Sequence, residues 1–288
     1  MSNRRALALS QLLELHRIDN VTPSGRKSFN LLQPPQDFIE AEERRRTFWY
    51  IYFSDRWVGA GAGRTSSIKN EEVSSKHLVE AHQLTRLKIT TLMPASECAF
   101  RDGQPEIAQS LQCATSNGLE QSAAPMVAAV VSAWILEKCT IHLREASDIK
   151  DERQFWLEHQ RLDNAISKIL MDLPDHLRAA STRDPFAFFV NMCLHQFTIS
   201  LLQGAIQLAQ KSPSRYDTVA RLRVRARRAA EEIVNIMRAE AYMDVRRVGR
   251  SGLHEFVLLT LADVSLRSFM SLRGGYCIHQ RPEVWVRG

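Results

Sequence analysis

No CxxC pair, no zinc-ligand spacing and no catalytic signature of the GxSxG, HExxH or SxxK type occurs in these 288 residues. The five cysteines, at 98, 113, 139, 193 and 277, are scattered, so neither a disulfide framework nor a metal site is proposed from spacing, and a reducing, intracellular setting is expected. Met1 to Arg5 leads into a leucine-rich stretch already broken by Glu14, His16 and Arg17, with no small-residue cleavage site after an apolar core, so no secretory signal is expected. Charge of one sign is scarce too: 38 Lys+Arg against 32 Asp+Glu leave +6, a mild excess that permits an acidic partner without requiring one. Two uncharged runs, Gln121 to Leu136 and Pro185 to Gln210, have the look of membrane spans. The first is short and holds Pro125. The second carries Asn191, His195, Gln196, Thr198, Gln203 and Gln207, costly against lipid, so both read as core helices and no membrane partner is expected.

What is present is helical periodicity. Val127, Val130, Val131, Trp134 and Ile141 share one helix face, with Glu137 and Lys138 near its edges. Phe155, His159, Leu162, Ile166, Ile169 and Leu173 form a second stripe stopped by Pro174. Phe186, Val190, Cys193, Phe197, Leu201 and Leu208 form a third, opened by Asp184-Pro185 as cap and first-turn proline. A fourth helix spans about Asp217 to Glu240, with Leu222, Ala226, Ala229, Ile233, Ile236 and Met237 inward, and a fifth follows Gly252. No regular alternation suggests a sheet, so the fold is expected to be all-α.

In the first hundred residues, 5 to 18 read as the end of a helix and Val21 to Gln36 as a loop. Phe38 to Val58 predicts a strong helix: Glu40 and Arg44, and Glu42 and Arg46, stand at i,i+4 with the acid N-terminal. Its aromatic residues are expected to fill the core, its arginines to point outward. A turn through Gly59-Ala60-Gly61-Ala62-Gly63 should follow. With Arg64-Thr65 these glycines invite a phosphate-loop reading, but arginine stands where a dinucleotide fingerprint wants glycine and a P-loop wants one more residue and a lysine. A helix stop is the simpler reading, and a nucleotide-dependent enzyme using Gly59 to Thr65 is the alternative. Cys139 and His142 could meet at three-residue spacing, while His77 and His82 point to different faces; neither pair makes a metal site. The densest basic cluster, Arg221, Arg223, Arg225, Arg227 and Arg228, places Arg221, Arg225 and Arg228 in a stripe opposite the apolar arc. That ridge reads as a solvated face pairing with acids, or as a DNA contact.

One series of motifs is specific. Glu43-Arg44-Arg45-Arg46-Thr47-Phe48-Trp49, then Phe53-Ser54-Asp55-Arg56, then Gly63-Arg64, resembles the fungal-specific transcription factor regulatory domain, the middle homology region of zinc-cluster proteins, also described as xylanolytic-activator-like. Upstream, Leu13-Glu14-Leu15-His16-Arg17 is similar to the family's leucine-His-Arg helix end, and Leu92 to Phe100 to its Leu-Pro-x-x-Glu-x-x-Phe segment. The diagnostic elements cover about residues 5 to 103, and the helical remainder, 120 to 272, is similar in order and character. The resemblance implies one all-α regulatory domain over 1 to 288, truncated N-terminally relative to the family. It implies a nuclear, non-enzymatic role in RNA polymerase II transcription, exercised through self-association or contacts with the transcription machinery. Arg44, Arg45, Arg46, Phe48, Trp49, Asp55, Arg56, Gly63 and Arg64 are then structural motif residues. No cofactor is expected in this chain: zinc and DNA binding belong, in the family, to a six-cysteine cluster not encoded here. Two departures stand out. Thr65 replaces a common proline, and Asn70 to Leu87 is an insertion, for which a surface loop and a gene-model error are both open.

Overall fold

The computed structural model describes residues 3–20, 31–61, 66–70, 86–146, 151–182, 184–211 and 215–241. Eight helices are described: α1 (Asn3–Leu12), α2 (Phe38–Gly61), α3 (Glu97–Asp102), α4 (Leu111–Asn117), α5 (Pro125–Glu145), α6 (Glu152–Asp172), α7 (Pro185–Ala209) and α8 (Tyr216–Ala241), with short 3-10 turns at Leu15–Arg17 and Asp175–Leu177. The fold is all-α. Its extended backbone pairing is confined, among the described residues, to β1 (Lys69–Asn70) and β2 (Arg86–Leu87), which run parallel with Lys69 opposite Arg86 and Asn70 opposite Leu87. The two ends of the expected insertion are therefore hydrogen-bonded neighbours, while residues 71–85 between them lie outside the described residues, as does the helix expected after Gly252.

The helices begin and end where local chemistry directs. Asp184 accepts backbone N–H bonds from Phe186 and Ala187 and Pro185 occupies the first turn of α7, while Asp151 accepts from Arg153 and Gln154 at the start of α6. The expectation for α8 holds along most of its length: Leu222, Ala226, Ala229 and Ile236 are buried. Met237 is 51% exposed instead.

Two helices are more deeply set than their wheels suggest. In α5, Ala128, Ala129, Ala133 and Ile135 are buried along with Val127, Val130 and Val131, so the helix is enclosed nearly all round between 127 and 136. α7 packs α5, α6 and α8 around itself and buries Ala187 to Leu194 without a break. Both are long and apolar enough to cross a membrane, yet most of each apolar window is buried within the protein, as core helices require. Gly204 marks the closest approach: a Cβ there would lie 2.4 Å from Leu143 Cδ2 of α5.

α2 joins two cores. Phe48, Trp49 and Tyr52 pack with Leu7, Leu15, Ile68, Met93, Val127, Val130 and Val131. One turn on, Phe53 and Trp57 pack with Phe189, Phe197 and the α5–α6–α7 interior, the Trp57 and Phe189 rings lying 4.9 Å apart. Burying rings of this size contributes about 2–3 kcal/mol each, which makes α2 the principal anchor of the N-terminal segment.

Candidate functional site

Along α2 the motif residues divide into two charged groups, one on each side of the aromatic anchors. Around the N-terminal half, Glu42 is completely buried and accepts from three sources: Arg46 Nε at 2.9 Å, Arg45 Nη1 at 3.4 Å and the backbone N–H of Ala95 at 2.9 Å. Arg46 continues outward, donating to Glu97 at 3.0 and 3.1 Å and to the Ala95 carbonyl at 3.2 Å, with its guanidinium 4.3 Å from the centre of the Phe100 ring. Arg45 turns the other way and grips Asp19, whose second oxygen takes the Leu92 N–H at 2.9 Å. The bond to Asp19 raises the Arg45 pKa, so this guanidinium is charged at every accessible pH. Arg44 pairs with Glu40 and donates to the Gln33 carbonyl at 2.7 Å.

Backbone contacts complete the seam. Trp49 Nε1 donates to the Leu92 carbonyl at 2.6 Å. Thr91 Oγ1 donates to the Leu15 carbonyl at 2.7 Å and accepts from Ile18 N–H, while the Thr90 and Thr91 N–H groups donate to the His16 carbonyl. The Leu-His-Arg turn, the arginine run and the Leu-Pro segment, joined by bonds that span as many as 76 positions in sequence, thus form one clamp about α2. His16 is buried beneath it, and burial lowers its pKa to about 4.

The second group lies past Trp49. Asp55 accepts the Ser67 N–H at 2.7 Å and the Ile68 N–H at 3.0 Å, a backbone nest closed by a carboxylate. Arg56 does not face solvent as expected. It is 2% exposed, its guanidinium stacks on the Tyr52 ring, and Nη2 meets Glu137 of α5 at 2.9 Å and the Ile68 carbonyl at 3.3 Å. Glu137 also takes the Ser66 hydroxyl. The reason is electrostatic: two opposite charges compensate each other in the interior, a placement unavailable to either alone. Gly63 and Arg64 lie outside the described residues. Gly59, Ala60 and Gly61 do not turn but complete the last helical turn of α2, so no strand precedes them.

Among the described residues each carboxylate of these groups is bound to a guanidinium or a backbone amide within the clamp. Cys139 and His142 do not form a ligand pair. Burial pushes the Cys139 thiol up, and the His142 ring stacks on Phe155 at 4.5 Å, beside His159, whose pKa burial lowers to about 4. Among the described residues no three His, Cys, Asp or Glu side chains converge as metal ligands, and the four described cysteines run from exposed Cys98 to buried Cys193, so they do not fit a zinc cluster. His77 and His82 lie outside the described residues. On α8, Arg221, Arg225 and Arg228 are all exposed, and Arg225 is tied to Asp163 of α6 at 2.8 and 2.9 Å.

Residues 4–86 match the fungal specific transcription factor domain, the stretch that contains the arginine run, its aromatic anchors and Asp55-Arg56. Those residues are similar to that family's domain. Over longer stretches the chain is similar to transcriptional activators. It is 28% identical over 241 residues to the citrinin biosynthesis transcriptional activator mrl3 of Monascus ruber, covering 82% of this chain and 43% of that protein. It is 27% identical over 247 residues to the pigment biosynthesis transcriptional activator pigB of the same organism, covering 82% and 40%, and 29% identical over 210 residues to the transcription factor tazR of Aspergillus terreus, covering 70% and 29%. The chain thus spans less than half the length of these relatives. No solved structure matches it. The clamp is the part of the site that sequence reasoning missed. The acid–arginine spacing within α2 was visible, but Asp19 and Glu137 carried no local signal of their role.

Proposed function

We propose that this chain is the regulatory and interaction module of a fungal transcription factor controlling RNA polymerase II transcription, acting in the nucleus on the genes of a biosynthetic pathway. The supporting observation is the clamp itself: Arg44, Arg45, Arg46, Asp55 and Arg56 spend their charges on partners within the protein and anchor a helical scaffold. The relatives' roles in citrinin and pigment biosynthesis support the choice of target class. On this reading residues 1 to 288 form one non-enzymatic domain, 70–87 is an insertion whose ends pair through β1 and β2, and the module works through self-association or contact with the transcription machinery. Zinc and DNA contacts would come from a cluster carried by a longer product. Deleting the gene and sequencing transcripts tests this: a set of co-located biosynthetic genes should lose expression, and a fluorescently tagged product should concentrate in nuclei. An unchanged transcriptome, or a tag excluded from nuclei, would overturn the proposal.

The nucleotide-enzyme reading of Gly59 to Thr65 loses its structural premise, because the segment before the glycines is helix and not strand. Titration with ATP and NAD, followed through Trp49 and Trp57 fluorescence, should show no saturable change.

A further inference from the structure

α8 packs one face against α7 through Val219, Leu222 and Ala226, all buried, and leaves the opposite face bare among the described residues. At the centre of that outer face stands Val224, 52% exposed. Four exposed arginines surround it: Arg221 and Arg228 lie about 60° and 40° to one side of Val224 on the helix, Arg227 and Arg223 about 60° and 100° to the other. None of the four has an ion-pair partner among the described residues, whereas Arg225, at the flank, is occupied by Asp163.

We infer that this arginine-ringed valine is a docking surface for an acidic amphipathic helix of a protein partner, an apolar side chain seated on Val224 with carboxylates at i±3 and i±4 reaching the guanidinium groups. The inference goes beyond the regulatory reading and rests on α8 alone. Charge decides the occupant. A second copy meeting this face through a two-fold axis would bring arginines against arginines. The chain beyond α8 is a poor complement, since residues 242–288 hold seven arginines against four acids. A nucleic acid duplex suits the patch less well: it spans only about two helical turns and its centre is apolar. Arginines bordering an apolar centre match the amphipathic mode of helix recognition.

The test uses the full chain and fluorescence anisotropy at about 0.15 M salt. The probe is a fluorescein-labelled peptide of roughly 16 residues with leucines at i, i+3, i+4 and i+7 and Asp or Glu elsewhere, compared with its scrambled isomer and a random-sequence DNA duplex. The amphipathic peptide should bind saturably, about tenfold or more tighter than the scrambled one. Arg223→Gln/Arg227→Gln/Arg228→Gln should weaken it about tenfold, and Val224→Asp by a similar factor, each with an unchanged thermal melt. Arg238→Gln, on the same helix outside the ring, controls for net charge and should leave binding within about twofold. Equal affinity for the scrambled peptide, indifference to Val224→Asp, or no saturable binding would overturn the inference. Tighter binding of the duplex than of the peptide would overturn it in favour of a phosphate contact.

Discussion

Removing Arg56 is expected to cost far more than removing Arg56 and Glu137 together would suggest. In Arg56→Met the guanidinium disappears from a site where it meets Glu137 at 2.9 Å, the Ile68 carbonyl at 3.3 Å and the Tyr52 ring, leaving a carboxylate that is 8% exposed with the Ser66 hydroxyl as its remaining close partner. Breaking such a pair from one side costs about 3–5 kcal/mol, because an uncompensated charge stays buried. In Arg56→Met/Glu137→Leu that charge is gone. What remains is the loss of hydrogen bonds to Ile68 and Ser66, roughly 1 kcal/mol each, partly offset by apolar burial. The double variant should therefore be about 2 kcal/mol more stable than Arg56→Met alone. Urea unfolding followed by far-UV circular dichroism, with equal m-values across the set, gives each free energy. A loss under about 1 kcal/mol in Arg56→Met, or strict additivity of the two single substitutions, would refute the interior ion pair.

Asp19→Ala should leave Arg45 with Glu42 alone and the Leu92 N–H without its acceptor, lowering stability by about 2–3 kcal/mol, and limited proteolysis should then cut residues 88–96 sooner than in the parent; an unchanged cleavage map would contradict the clamp. Gly204→Ala forces a methyl into contact with Leu143, an overpacking cost of about 1–3 kcal/mol set against a gain in helix propensity of roughly 1 kcal/mol; the loss caused by Gly204→Ala should vanish when it is measured against Leu143→Ala, as thermal melts would show. His16 and His159 have folded-state pKa values near 4, below the ordinary 6.5, so the unfolded chain binds more protons between those limits. Stability should be level above pH 6.5 and fall on acidification towards pH 4, each histidine adding a slope of at most about 1.4 kcal/mol per pH unit; His159→Gln should flatten the curve, and equal unfolding midpoints at pH 7 and pH 5 would count against burial of the neutral rings.

The helices were largely legible because their periodicity is local. Asp184-Pro185 announces α7, Pro174 closes α6, and the i,i+4 acid–arginine pairs identify α2 before any tertiary contact is known. Depth was less legible. A wheel assigns α5 one apolar face, yet alanines at 128, 129 and 133 are small enough to let neighbours close in on the other sides as well. Met237 lies on the inward arc of α8 by angle but is 51% exposed; nothing among the described residues explains its exposure. Charge misled most. Arg56 sits beside aromatic residues and looks like an ordinary outward guanidinium, because its partner is 81 positions away on a helix whose pattern marks Glu137 only as an edge residue. Residues 59 to 61 are the complementary case: glycine composition suggests a turn, but the buried end of α2 holds them helical.

A scaffold that merely needed stability would gain more from apolar residues at 42, 56 and 137, since desolvating charge is expensive. What the charges add is register. An axial rotation of α2 by one residue, about 100°, could still bury several of its aromatic rings, but it would pull Glu42 from the Ala95 amide and Arg56 from Glu137 and strand both charges in the interior. The competing packings are thereby raised in energy while the native one is left satisfied. The segments so fixed, 15–19, 66–68 and 92–97, bury Leu15, Ile68 and Met93 in the core, while their backbone is held by carboxylates and guanidiniums reached from α2 and α5. The buried charge pairs thus hold those peripheral segments in one arrangement where apolar packing alone would tolerate several.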